Sequence, residues 1–274
     1  MDITTHTATA GQSGPTVAGL APSPRPIGLG DIRAALREGT ADFMALPSHN
    51  FLLALLYPLA GLVLIQAASG SGLMPLLFPL ASGFALIGPA AAVGLFEISR
   101  LRERGDTPGW RDALGPFRRP ERAPLVRLMA LLLALLLGWL VTAFLVYRLT
   151  LGANPPPDLW SLLTAALTTP RGWVMIAVGN GLGLVFALAA LLLGTFSLAN
   201  IVDGETRARE AIAFSINAFG QSRLPILAWG AFVGAFTFVA VVLGLVGLAI
   251  TLPICAHATW RLYRRAAGGP HAPR

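Results

Sequence analysis

Six stretches of this chain run for close to twenty residues or more with almost no charge, and no other feature constrains the fold as strongly. They lie near Asn50–Ala68, Leu73–Ile98, Leu125–Leu149 and Trp173–Ile201, with two more inside the final run Pro225–Tyr263. A helix of about twenty apolar residues is long enough to cross the hydrocarbon core of a bilayer. With 55% hydrophobic and only 12% charged residues, a water-soluble fold of this length could not cover its apolar surface. A soluble enzyme is therefore excluded. The chain reads as an all-α, polytopic membrane bundle of six transmembrane helices with short cytoplasmic amphipathic helices.

The last run decides the number of spans. As a single helix, residues 225–263 would be roughly 58 Å long, almost twice the hydrocarbon thickness. Splitting it near Gly244–Gly247 yields spans at about 225–243 and 246–263. Charge supports the split, because arginine and lysine accumulate in cytoplasmic loops. All 20 basic residues are arginine, and six spans place 18 of them on one side, leaving only Arg148 and Arg171 opposite. Both termini are then cytoplasmic, in what the composition suggests is a bacterial inner membrane. Residues 1–26 read as a disordered cytoplasmic tail rather than a signal peptide. Residues 27–265 form the membrane domain, and 266–274 a second disordered tail. The largest external loop is expected to carry a short helix over Asp158–Leu167, capped by Asp158.

Three cytoplasmic segments share the pattern Arg-x-Ala-Leu/Ile: Arg33–Leu36, Arg111–Leu114 and Arg209–Ile212. Each precedes an outgoing span, which suggests three units of interfacial helix plus transmembrane hairpin. Residues 30–43 and 205–219 have the apolar spacing of helices lying along the inner surface.

The first segment contains Ala35-Leu36-Arg37-Glu38-Gly39 and Asp42-Phe43. Farther on come Gly83–Pro89, Gly94–Arg100 and Pro108-Gly109-Trp110, and the chain closes with His257-Ala258-Thr259-Trp260-Arg261-Leu262-Tyr263-Arg264. In these motifs, over about residues 27–265, the chain resembles the bacterial family of predicted integral membrane proteins known as domain of unknown function 2189. The resemblance implies a multi-span inner-membrane protein. It implies no reaction and supplies no catalytic residues.

Ionisable groups near membrane depth are the default functional candidates. His49, Glu97, His257 and Arg261 all fall at the cytoplasmic ends of spans and form a candidate polar cluster. Such a cluster could titrate or bind an ion, or it could be a set of paired charges that fixes helix depth. Equivalent positions in spans two and six suggest a Glu97–Arg261 pair, with Arg100 or Arg264 as substitute partners. Asn180, flanked by Gly179, Gly181 and Gly183, is a candidate midspan polar site, through local unwinding or close helix packing. Four scattered histidines and the lone Cys255 make neither a haem nor a zinc site. No cofactor and no catalytic residue is expected. The loop 99–127, with eight arginines, is expected to meet anionic lipid headgroups. It lacks the stacking positions of a nucleic-acid binder.

Three functions remain open at this level. A non-catalytic scaffold or lipid- and partner-interacting protein is the leading expectation. A small-solute transporter or channel is the alternative, and an intramembrane enzyme has the least support.

Overall fold

The computed structural model describes residues 23–45, 92–152, 158–204, 207–242 and 247–269, together with Asn154 and scattered positions between 59 and 80. The described residues form helices and short 3-10 turns, with no strand among them. Nearly all of the first expected span, 50–68, and half of the second, 73–98, lie outside the described residues, as does His49.

Helix α1 covers Leu29–Ala45 and α2 covers Val93–Glu103. A 3-10 turn at Trp110–Leu114 and one helical turn at Gly115–Arg118 lead into α3, Ala123–Thr150. Then come α4, Leu159–Thr168, and α5, Pro170–Gly194. The chain continues through α6, Ser197–Asp203; α7, Ala208–Gln221; α8, Arg223–Val242; and α9, Leu248–Ala266.

Local chemistry explains several boundaries. Asp158 caps α4 by accepting the Ser161 backbone N–H at 2.7 Å, as the sequence suggested. Thr169 caps α5 in the same way through Gly172 N at 3.0 Å, with Pro170 at the first helical position. α8 is described as far as Val242 and α9 from Leu248, and residues 243–246, where charge placed the split, lie outside the described residues. A Cβ on Gly247 would stand 3.0 Å from Ala240 Cα, so the start of α9 lies close against α8.

Three helices are long and apolar enough to cross a membrane. They are Ala123–Thr150 with mean hydropathy 2.6, Pro170–Asp203 with 2.3, and Arg223–Ala240 with 1.5. The second includes both α5 and α6, which a turn at Thr195–Phe196 separates. Their outward faces are apolar: Leu133, Leu137 and Val141 on α3, Leu184 and Val185 on α5, and Phe238 on α8 are all exposed. Such faces suit lipid and not water. Six transmembrane helices are more than these residues show. The segment expected as span six differs in kind from the other three. α9 is buried on almost every side, and its second half carries His257, Arg261, Arg264 and Arg265. It is a central post of the described bundle.

The main core surrounds that post at the charged end of the bundle. α1, α2 and α8 pack against α9, while α6 joins α2, α3 and α7. Phe96, Trp260 and Tyr263 form a tilted aromatic stack, with centroids 6.4 and 5.5 Å apart, and Phe214 of α7 meets Tyr263 edge-on. In the recurring Arg-x-Ala pattern, Ala35, Ala113 and Ala211 are all buried, while Arg33, Arg111 and Arg209 are exposed. Copies one and three are helices, as expected. The second is not an interfacial helix. Pro116 and Pro120 shorten it to a 3-10 turn and one α-turn, because proline lacks the N–H a longer helix would need.

Candidate charged site

The site begins with the buried stripe of α1: Ala35, Gly39 and Asp42, at spacings of four and three. A Cβ on Gly39 would stand 2.5 Å from Ala258 N and 2.7 Å from its Cα. The absence of a side chain at Gly39 is what lets α1 lie directly on α9. That close approach carries Asp42 into the interior, where it is only 3% exposed.

Asp42 is held by two arginines. Arg261 of α9 donates from Nε at 2.8 Å and from Nη2 at 2.9 Å, the planar fork gripping both carboxylate oxygens. Arg102 of α2 donates at 2.8 Å and also reaches the Asp42 carbonyl at 3.0 Å. Ser99 Oγ donates to Asp42 Oδ2 at 3.2 Å and lies 2.7 Å from His257 Nδ1. A serine has one hydroxyl proton, so donating it to Asp42 requires Nδ1 of His257 to carry hydrogen and donate to Ser99. In a serine nucleophile–base pair the polarity is reversed. Ser99 and His257 are both 0% exposed.

Glu97 does not pair with Arg261. Its oxygens take Arg100, three residues along the same helix, and Arg119 at 2.7 Å. The helices α2 and α9 are neighbours, but Arg261 is taken by Asp42 of α1, which Arg102 and Ser99 of α2 bond as well. The hydrogen bonds to Glu97 hold the Arg100 guanidinium above its ordinary pKa, against the opposing effect of its burial. Arg119 also donates to the Val202 carbonyl at 2.9 Å, tying the charged loop to α6.

Two further groups complete the network. Arg264 bridges Glu103 at 3.1 Å and Asp203 at 2.7 Å, with Trp260 Nε1 and Tyr263 Oη donating to the same two carboxylates. Arg265 binds Glu38 at 2.6 Å and stands 3.4 Å from Asp31. Six carboxylates (Asp31, Glu38, Asp42, Glu97, Glu103, Asp203) thus meet six arginines (Arg100, Arg102, Arg119, Arg261, Arg264, Arg265). Equal numbers of opposite charges make the burial tolerable, since an unpaired charge at this depth would be costly.

Of the candidates named from sequence, Glu97, His257 and Arg261 come together at this end, in different pairs from those expected. Asn180 is not brought into this cluster. α5 is continuous through it, its side chain is exposed, and its Nδ2 donates to the Ile176 carbonyl one turn back at 2.8 Å. Gly179 and Gly181 have open space beyond them, and only Gly183 packs, against Trp139 of α3. Sequence reasoning missed Asp42, Ser99, Arg102 and Arg119. Asp42 did carry a signal, as an acid on the apolar stripe of an amphipathic helix. Among the described residues no group of three or more His, Cys, Asp or Glu is disposed to hold a metal ion.

Residues 77–203 match the model of a family described as predicted integral membrane protein (DUF2189). No curated protein and no solved structure matches the chain. The matched stretch contains α2 to α6, with Glu97, Glu103, Arg119 and Asp203. It is narrower than the resemblance seen in the sequence, and Asp42, His257 and Arg261 fall outside it. The match and the long apolar helices together identify an integral membrane protein.

Proposed function

We propose that this chain is a non-catalytic protein of the bacterial inner membrane, a scaffold that engages lipids and partners and neither turns over nor transports a substrate. In this reading it crosses the bilayer six times, and both termini are cytoplasmic. One observation carries the proposal: among the described residues, the ionisable groups expected at membrane depth are used on one another. Asp42, Glu97, Arg261 and their partners form a closed, neutral clamp that fastens α1 to α9, and His257 is sealed inside it. Outside the clamp, five arginines of the charged loop (Arg104, Arg111, Arg118, Arg122, Arg127) remain exposed. They supply a surface for anionic headgroups. The other three loop arginines are taken up by Glu97 and Asp42.

The small-solute transporter or channel is the second reading, and a cavity between α5 and α8 favours it. Its walls are largely apolar, and Asn180 offers it no polar group. Two measurements test the proposal. Protein reconstituted into sealed liposomes should leave proton, potassium and chloride fluxes at protein-free rates, and a saturable flux would replace the scaffold with a transporter. Reporter fusions should place both termini in the cytoplasm, and a periplasmic C-terminus would remove the six-span topology.

A further inference from the structure

We propose that the cavity between α5, α8 and α9 holds one acyl chain of an anionic glycerophospholipid, whose headgroup is met by Arg223. The inference rests on the reading of this chain as a lipid-engaging membrane protein and names the lipid and its seat. The cavity has a volume of about 460 Å³, within the usual range of ligand pockets, roughly 300–1,000 Å³. Leucines and alanines of α5 form one wall and Leu227, Val233 and Trp229 of α8 the other, with Cys255 and Ala256 of α9 behind. Small residues make the space. Gly230 approaches Leu191, where a Cβ would stand 2.8 Å from Leu191 Cδ1, while Gly234 has nothing within 4 Å.

Length and charge identify the occupant. Along α8 the lining runs from Leu227 to Thr237, ten residues or about 15 Å. Along α5 it runs from Leu184 to Thr195, about 16 Å. Either length is about half of a hydrocarbon core of roughly 30 Å, the depth of one leaflet. The groove therefore matches the chains of a single leaflet. Its end at Leu227 and Thr195 is the charged end of the bundle, since Thr195 directly precedes α6 and its Asp203. Arg223 stands one turn beyond Leu227, on the face that Leu227, Gly230, Gly234 and Thr237 share at helical spacing. It is exposed and pairs with no acid among the described residues. A cation in that position, at the positive end of a 20-residue helix, is placed for a phosphate at headgroup level.

The test uses the full-length protein purified in mild detergent and offered equal phosphatidylglycerol and phosphatidylcholine with identical chains. Native mass spectrometry then counts the lipids retained after dilution. The wild type should keep one lipid with preference for phosphatidylglycerol. Gly234→Leu fills open space without touching the backbone around it, and should reduce retention at least tenfold while leaving the helical circular dichroism and elution volume unchanged. Arg223→Gln should lower the preference for phosphatidylglycerol by about fivefold, the factor expected for one basic group at an anionic surface, and leave chain occupancy in place. Thr237→Val should change neither quantity.

Unaltered retention in a folded Gly234→Leu protein would overturn the site, as would a wild type that keeps no lipid or shows no headgroup preference. Loss of retention in Thr237→Val would replace the acyl chain with a ligand held by a hydrogen bond. Solute flux through liposomes would defeat the scaffold reading while leaving the lipid count untouched, so the two failures are separable.

Discussion

Replacing Asp42 with alanine removes the acceptor from two arginines, one serine and, through that serine, a buried histidine. Side-chain exposure is 13% for Arg261 and 25% for Arg102. Arg102 can turn toward water, whereas Arg261 keeps most of its desolvation without its partner. Breaking a buried ion pair from one side costs about 3–5 kcal/mol, and the escape open to Arg102 puts the expected loss near the lower end, at about 3 kcal/mol. The readout is equilibrium unfolding in mixed micelles titrated with a denaturing detergent and followed by tryptophan fluorescence. Arg207→Ala is the control. That side chain is 78% exposed and its Glu210 contact is 3.5 Å long, so no measurable change is expected. Arg261→Met paired with Asp42→Ala completes a cycle, in which the double variant should be at least about 1.5 kcal/mol less destabilised than the sum of the singles. Additive losses, or an Asp42→Ala protein as stable as Arg207→Ala, would show that the clamp does not hold α1 to α9.

Three other perturbations read separate parts of the structure. Gly39→Val puts two methyl groups where α1 meets the Ala258 backbone. It should cost about 1–3 kcal/mol and expose α1 to limited proteolysis; resistance equal to wild type would contradict the close crossing. A Glu97→Arg, Arg261→Glu exchange should show no mutual rescue of folded yield, because the native partners of these residues are Arg100 with Arg119 and Asp42. Recovery in the double variant would restore the direct pair. The carboxyl of Asp158 is held below the usual carboxylate range by hydrogen bonds from the Ser161 backbone and hydroxyl. Its cap therefore contributes fully above the unfolded pKa of about 3.9 and fades as pH falls through the lower folded value. Asp158→Ala should lower amide protection in α4 at neutral pH and match wild type once the Asp158 carboxyl is protonated in the folded and unfolded states alike; a pH-independent difference would rule the cap out.

Much of the architecture is written locally. The apolar runs specify α3, α5 and α8, because a continuous stretch without charge has one stable environment and the length of each is set by the bilayer. The helices α1 and α7 follow from apolar spacing, and the α4 start from Asp158. Each of these depends on residues within a turn or two of one another, so the sequence order already contains the geometry.

The pairing of the charges does not work that way. Asp42 and Arg261 are 219 positions apart, and Asp42 and Ser99 are 57. Topology placed Glu97 and Arg261 at one end of the bundle, but depth does not say which side of a helix a charge faces. That was decided by Gly39, which lets α1 lie on one side of α9 and brings Asp42 to Arg261, and by the turn at Pro116 and Pro120, which returns Arg119 to Glu97. Asn180 makes the complementary point. The glycines around it open the chain to unwinding or close packing alike, and in the fold its side chain is exposed on a continuous α5 and bonds the Ile176 carbonyl. Which residues lie at the same depth is settled by composition and periodicity along the chain; which of them touch is settled only when the helices pack, since close packing fixes rotation about each axis and helical length alone does not.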